Sequence, residues 1–127
     1  MERYLIDTNV VCDYLTAELP HKGLLLLDTV MDTMPQLSVI TQIELLCWNA
    51  GTEIENSVRN FIIDSTILHI NTDVIMYCVA LRKSKKIKTP DAIIAATALA
   101  YDITLLTNNE KDFTNIRGLK LINPYKL

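Results

Sequence analysis

Cysteine, histidine and glycine are scarce in this chain, and each scarcity removes a class of chemistry. The three cysteines, Cys12, Cys47 and Cys78, are odd in number and far apart, and no two have the spacing of a metal knuckle or a redox pair. Each falls in an apolar run expected to be helical, so all three read as buried, reduced thiols. His21 and His69 stand alone, with no partner at helical or loop spacing, and read as structural or surface residues. With only three Gly and four Pro there is no low-complexity tract, linker or internal repeat. No apolar run approaches the roughly 20 residues that span a bilayer. Met1-Glu2-Arg3-Tyr4 has no signal-peptide pattern, so a cytoplasmic protein without a membrane partner is the expectation. The net charge of −3 excludes a surface that binds nucleic acid all over, although local charge matters more than the sum.

What the chain does have is core material. Half of its 127 residues are hydrophobic, which suits one compact domain over residues 1–127. The apolar run Tyr4-Leu5-Ile6 reads as a buried strand and ends in Asp7-Thr8-Asn9, after which Val10 to Leu15 continue as a helix. Leu24, Leu27, Met31 and Met34 recur at helical spacing between Pro20 and Pro35. Gln36 to Ile40 reads as a second strand; Thr41 to Glu44 then opens a helix that Gly51 ends. Ile54, Val58, Phe61 and Ile62 mark an amphipathic helix. Ser65 to Ile70 is a third strand, and Asn71 or Thr72 caps a helix from about Asp73 to Ser84. Thr89 as cap and Pro90 in the first helical position open an alanine-rich helix from Asp91 to Tyr101. Ile103 to Thr107 is a strand of the fully apolar kind found in parallel sheets. A polar loop, Asn108 to Asp112, follows, and Leu119 to Ile122 reads as an edge strand. Strands alternating with helices predict an α/β fold, a mainly parallel sheet of four or five strands with helices on both faces.

Taken singly, the acids have structural explanations. Asp7 can cap a helix. Thr41-x-x-Glu44 is a capping box. Asp91 in a first helical turn meets the helix dipole. Asn108 and Asn109 are turn residues, and Asp112 can cap a small turn. Taken together, Asp7, Glu44 and the Asn109/Asp112 loop all follow strands, and Asp91 begins a helix running antiparallel to the next strand. A parallel sheet gathers all of these at one edge, where open α/β sheets bind ligands. Crowded carboxylates raise one another's pKa unless a cation neutralises them. An all-oxygen donor set favours Mg²⁺ or Mn²⁺ over zinc or copper, and such an ion suits phosphoryl chemistry. Arg82, Lys83, Lys85, Lys86 and Lys88 form a basic run just before Asp91. It reads either as a solvated helix end or as a surface that holds a polyanion beside the acids.

The Asp-Thr-Asn ending of the first strand, the helix-borne Glu44, Pro90-Asp91-Ala92-Ile93-Ile94-Ala95-Ala96 and Leu105-Leu106-Thr107-Asn108-Asn109 with Asp112-Phe113 resemble the PIN domain family, and within it the VapC-type toxins of bacterial toxin–antitoxin pairs. The resemblance spans essentially the whole chain and implies a metal-dependent endoribonuclease. Asp7, Glu44 and Asp91 match the family's three acidic positions, Thr8 and Asn9 the polar residues beside the first acid, and Thr107 the hydroxyl residue that opens the last motif. Where many PIN domains carry an acid two residues after that threonine, this chain has Asn109, and Asp112 offers a fourth carboxylate or a supporting one. The resemblance also implies an RNA substrate, a homodimer and a cognate antitoxin that covers the cleft. Two other readings remain open. A non-catalytic PIN-like module would dock a basic peptide in the acid cleft. A haloacid-dehalogenase-like phosphatase would need a second acid where Asn9 stands.

Overall fold

A computed structural model describes residues 2–127. Its centre is a five-stranded sheet in which every pairing is parallel. The strands are β1 (Tyr4–Ile6), β2 (Gln36–Ser38), β3 (Thr66–Leu68), β4 (Thr104–Leu106) and β5 (Leu121–Ile122), in the order β3-β2-β1-β4-β5. The chain winds outward from β1 on one side and then returns to build β4 and β5 on the other. The boundary between β1 and β4 is therefore the topological switch point, the edge at which open α/β sheets bind ligands outside the carboxyl ends of the strands. Register there aligns Leu5 with Leu105 and Ile6 with Leu106.

Successive residues of a strand point to opposite faces, and this sheet is covered on both. Leu5 and Leu105 face one core, built with Val74 and Leu81 of α5 (Thr72–Ser84) and Ala92, Ile94, Ala95 and Ala98 of α6 (Thr89–Tyr101). Ile6, Leu37 and Leu106 face the other core. It is built with Val10 and Val11 of α1 (Thr8–Leu15), Leu27 and Val30 of α2 (His21–Met31), Leu45 of α3 (Val39–Leu46), and Val58 and Phe61 of α4 (Thr52–Ile63). The expected architecture is the one observed.

The boundaries moved for local reasons. Val39 and Ile40 are β-branched and read as strand, yet they are the first helical residues of α3, because Ser38 caps it by accepting from the Thr41 amide at 3.0 Å. The expected helix through Met34 stops at Met31; Met34 is exposed at φ +62° ahead of a buried Pro35. Gly51 does not end α3, which stops at Leu46; at φ +96° it precedes α4 as its N-cap. Asn71 is the cap of α5, accepting from Val74. Lys88, not Thr89, occupies the cap position of α6, which moves Pro90 and Asp91 one position deeper into the first turn. The loop after β4 contains a four-residue helix, α7 (Glu110–Phe113). Cys47 is exposed at the end of α3, whereas Cys12 and Cys78 are half-buried, so the expectation of three buried thiols fails at Cys47.

Candidate active site

β1 delivers Asp7 to the switch point, where its amide donates to the Leu106 carbonyl at 2.9 Å and continues the ladder one step past the strand. Its carboxylate is 8 % exposed and held at both oxygens. The Thr8 amide donates to Oδ1 at 2.9 Å, and the Thr107 hydroxyl, fully buried just past β4, donates to Oδ2 at 2.7 Å. Thr107 Oγ1 also accepts the Asn109 amide at 3.0 Å. The capping role expected for Asp7 is thus real, but it uses one oxygen, and each oxygen accepts only one bond and keeps a further lone pair. Burial raises the Asp7 pKa above the usual carboxylate range; the bonds from Thr107 and Thr8 pull it down, and the charge of Glu44 pushes it up.

Glu44 is not a capping-box residue. The Thr41 amide goes to Ser38, and Glu44 Oε1 instead accepts the Thr8 hydroxyl at 2.6 Å. A hydroxyl has a single proton to give. With Thr8 donating to Glu44, the 3.1 Å contact between Thr8 and Thr41 must run from Thr41 to Thr8, and the 3.3 Å contact between Ser38 and Thr41 from Ser38 to Thr41. Three hydroxyls, those of Ser38 and Thr41 fully buried, therefore point in series at one exposed carboxylate. Such a chain polarises itself toward the charged end. Ser38, not the Thr41 expected from Thr41-x-x-Glu44, is the cap. The signal was Ser38 three residues before Thr41, the spacing of a serine N-cap to the amide it accepts. Asn9 is exposed in the first turn of α1.

Asp91 lies half-exposed in the first turn of α6, and among the described residues no donor reaches its carboxylate. Its pKa is raised, first by burial and then by the charges of Asp112, Asp7 and Glu44, while Lys88 lowers it. The charges of the other three acids named from the sequence thus all reach Asp91, and that of Glu44 also reaches Asp7. Asp112, on α7, is oriented by Asn109, whose Nδ2 donates to Asp112 Oδ2 at 2.9 Å and whose Oδ1 accepts the Asp112 amide at 3.3 Å. Asn109 is not an acid here but the residue that aims one.

Among the described residues, no three of these side chains close into a ready-made cage around an ion. The donor set still fits a hard divalent cation. Every candidate ligand is a carboxylate oxygen, Asp91 has no internal partner, and the mutual repulsion is what a cation relieves. Mg²⁺ in particular keeps several waters and takes one or two carboxylates rather than a dedicated cage.

The basic run divides. Arg82, Lys85, Lys86, Ile87 and Lys88 line a groove of about 560 Å³ that reaches Asp112. Lys83, Lys86 and Lys88 are exposed. Arg82 donates to the Ile87 carbonyl, and the half-buried Lys85 donates to the carbonyls of Asp112 and Thr114 at 3.1 and 3.0 Å.

A family model for the PIN domain matches residues 4–119. In a toxin–antitoxin complex from Klebsiella pneumoniae, one chain is 31% identical to this one, with 98% of this chain and 99% of that chain covered and a TM-score of 0.75. VapBC2 from Rickettsia felis, bound to a DNA fragment from its promoter, contains a chain that shares the fold at 24% identity, with a TM-score of 0.77 over 94% of this chain and 97% of that one. VapBC-1 from nontypeable Haemophilus influenzae does so at 23% identity and the same TM-score, over 97% and 98%. No curated protein matches the sequence. With a family model covering most of its length, this chain belongs to the PIN domain family.

Proposed function

We propose that this protein, read as one PIN domain over residues 1–127, is a metal-dependent endoribonuclease and the toxin of a VapBC-type toxin–antitoxin pair. The observation that supports the reading is that Asp7, Glu44 and Asp112 all follow strands of a parallel sheet and that their charges reach Asp91 at the start of α6. Asp7, Glu44 and Asp91 would hold Mg²⁺ or Mn²⁺. Such an ion supplies Lewis acidity toward a phosphodiester and an activated water at neutral pH. The chain itself supplies orientation. Thr8 and Thr107 fix the Asp7 carboxylate, the Ser38–Thr41–Thr8 series fixes Glu44, and Asn109 fixes Asp112. An acidic cleft repels a polyanion, so the exposed cations of the neighbouring groove offset that repulsion and hold the RNA backbone.

The partners follow the same reading. The neighbouring complexes from Klebsiella and Rickettsia support a cognate antitoxin. Ile75 and Val79, four residues apart on α5 and each roughly half exposed, are apolar surface of the kind a homodimer covers.

The test uses protein purified free of any antitoxin. Cleavage of RNA that requires Mg²⁺ or Mn²⁺ and disappears in a folded Asp7→Asn or Asp91→Asn variant is expected. Wild-type cleavage by Asp7→Asn would place the site elsewhere. No cleavage by wild type, with retained affinity for basic peptides, would make the domain a binding module.

A further inference from the structure

Of the five basic residues before Asp91, Lys85 is the one that has turned inward. It is the C-cap of α5, where the backbone turns extended at φ −151° and ψ 161°. Its ammonium reaches across the fold to the carbonyls of Asp112 and Thr114, at the C-terminal end of α7. Those groups belong to the orphan acceptors that every helix leaves at its C-terminus, and a cation there also meets the negative end of the dipole.

A helix of four residues has no stability of its own. α7 is held from outside at each end. Asn109 caps its start, Phe113 anchors it in the core at 2 % exposed, and Lys126 pairs with Glu110 at 2.6 Å. Lys85 fastens the end that carries Asp112. Among neighbouring charges, Asp112 is the largest influence on Asp91, so the separation of these two acids depends on where α7 sits.

We propose that Lys85 is a positioning residue for the acid site: it clamps α7 so that Asp112 stands beside Asp91, and it does not serve as a contact for RNA phosphates. This deepens the nuclease reading and rests on it. It separates Lys85 from Lys86 and Lys88, which remain exposed and free to meet RNA.

The test compares Lys85→Gln, Lys85→Arg and Lys86→Gln in an Asp7→Asn background, which prevents cleavage, and Lys85→Gln with and without Asp112→Asn in the otherwise native chain. In metal-free protein, Lys85→Gln should speed hydrogen exchange at the Thr114 amide, which donates to Glu110 within α7, and leave β4 amides unchanged. Lys85→Arg, which keeps donors for two carbonyls, should restore the protection. By calorimetry, Lys85→Gln in the otherwise native chain should weaken Mn²⁺ binding about three- to tenfold, and should have no further effect once Asp112 is Asn. The salt dependence of RNA affinity should be unchanged in Lys85→Gln but flatter by about one unit in Lys86→Gln, as for one lost phosphate contact.

Faster exchange with wild-type Mn²⁺ affinity would reduce Lys85 to a helix clamp and overturn the proposal. Equal losses of Mn²⁺ affinity with and without Asp112→Asn would overturn it as well, since the effect would not pass through that carboxylate. A flattened salt slope in Lys85→Gln would return Lys85 to the RNA path. Absence of Mn²⁺ binding by the otherwise native chain would instead overturn the nuclease reading, and the positioning role with it, while the exchange data would still report the clamp.

Discussion

Thr107→Val is the sharpest probe of how the site is held. Valine keeps the shape of threonine but not its hydroxyl, which here makes two bonds. The hydroxyl donates to the Asp7 carboxylate at 2.7 Å and accepts the Asn109 amide at 3.0 Å, from a fully buried position. A hydrogen bond to a charged group contributes about 1.5–3 kcal/mol and a neutral one about 1 kcal/mol. The added methyl recovers part of that sum through apolar burial. The net cost at neutral pH should be about 2–3 kcal/mol, read from urea denaturation of metal-free protein. Because a charged bond is roughly twice as strong as a neutral one, the cost should fall by about 1 kcal/mol once acid protonates Asp7. Thr107→Ser keeps the hydroxyl and should keep the pH dependence, losing only what a buried methyl contributes. A cost for Thr107→Val that is the same at neutral and acid pH, or below about 0.5 kcal/mol throughout, would refute the claim that Thr107 holds an ionised Asp7.

Two further outcomes follow from other parts of the structure. A β-carbon placed on Gly23 would lie 2.3 Å from the Pro124 carbonyl oxygen, so Gly23→Ala should cost about 1–3 kcal/mol in urea denaturation, and an unchanged midpoint would show that the C-terminal segment does not pack tightly on α2. Asp7 and Asp91 both have folded-state pKa values raised above their unfolded ones, so the folded state holds their protons more tightly. Their contribution to stability is fully present below the unfolded carboxylate pKa and is lost as pH rises through the raised values. Metal-free wild type should therefore lose stability over that range relative to the double variant Asp7→Asn, Asp91→Asn, and saturating Mg²⁺ should cancel the difference. Parallel pH profiles without metal would show that these carboxylates are not under strain.

The fold was legible because its signals were local and redundant. Leu5-Ile6 and Leu105-Leu106 are consecutive, fully buried apolar residues, as strands covered on both faces require. Asp7, Glu44, Asp91 and Asp112 could be placed at one edge because strand direction alone decides which ends of parallel strands meet. Two kinds of fact were not legible. One was a contest between local preferences: the β-branched Val39 and Ile40 favour a strand, and only the Ser38 cap, working through the Thr41 amide, makes them helical. The other was long-range. Nothing around Lys85 distinguishes it from Lys86; what turns it inward are carbonyls 27 and 29 residues away. Glu44 was found for its charge, but the partner that orients it, Thr8, lies 36 residues back. The exposure of Cys47 has the same character, since α3 ends just before it and leaves it outside the core.

The pairing of β1 with β4 also sets the order in which the molecule can become active. Asp7 is made well before the hydroxyl that holds it, which belongs to Thr107, 100 residues later in the chain. β1 can pair with β2 early, but its other edge stays open until β4 is present. Contacts of such sequence separation form late because closing the loop costs entropy before any bond forms. A nascent chain that has not yet released Leu106 and Thr107 thus carries Asp7 and Glu44 without the side of the crevice that α6 and α7 complete. On the proposed reading, the acid site is assembled only once the chain through Thr107 has been synthesised, so a chain stopped short of that point lacks the hydroxyl that holds Asp7.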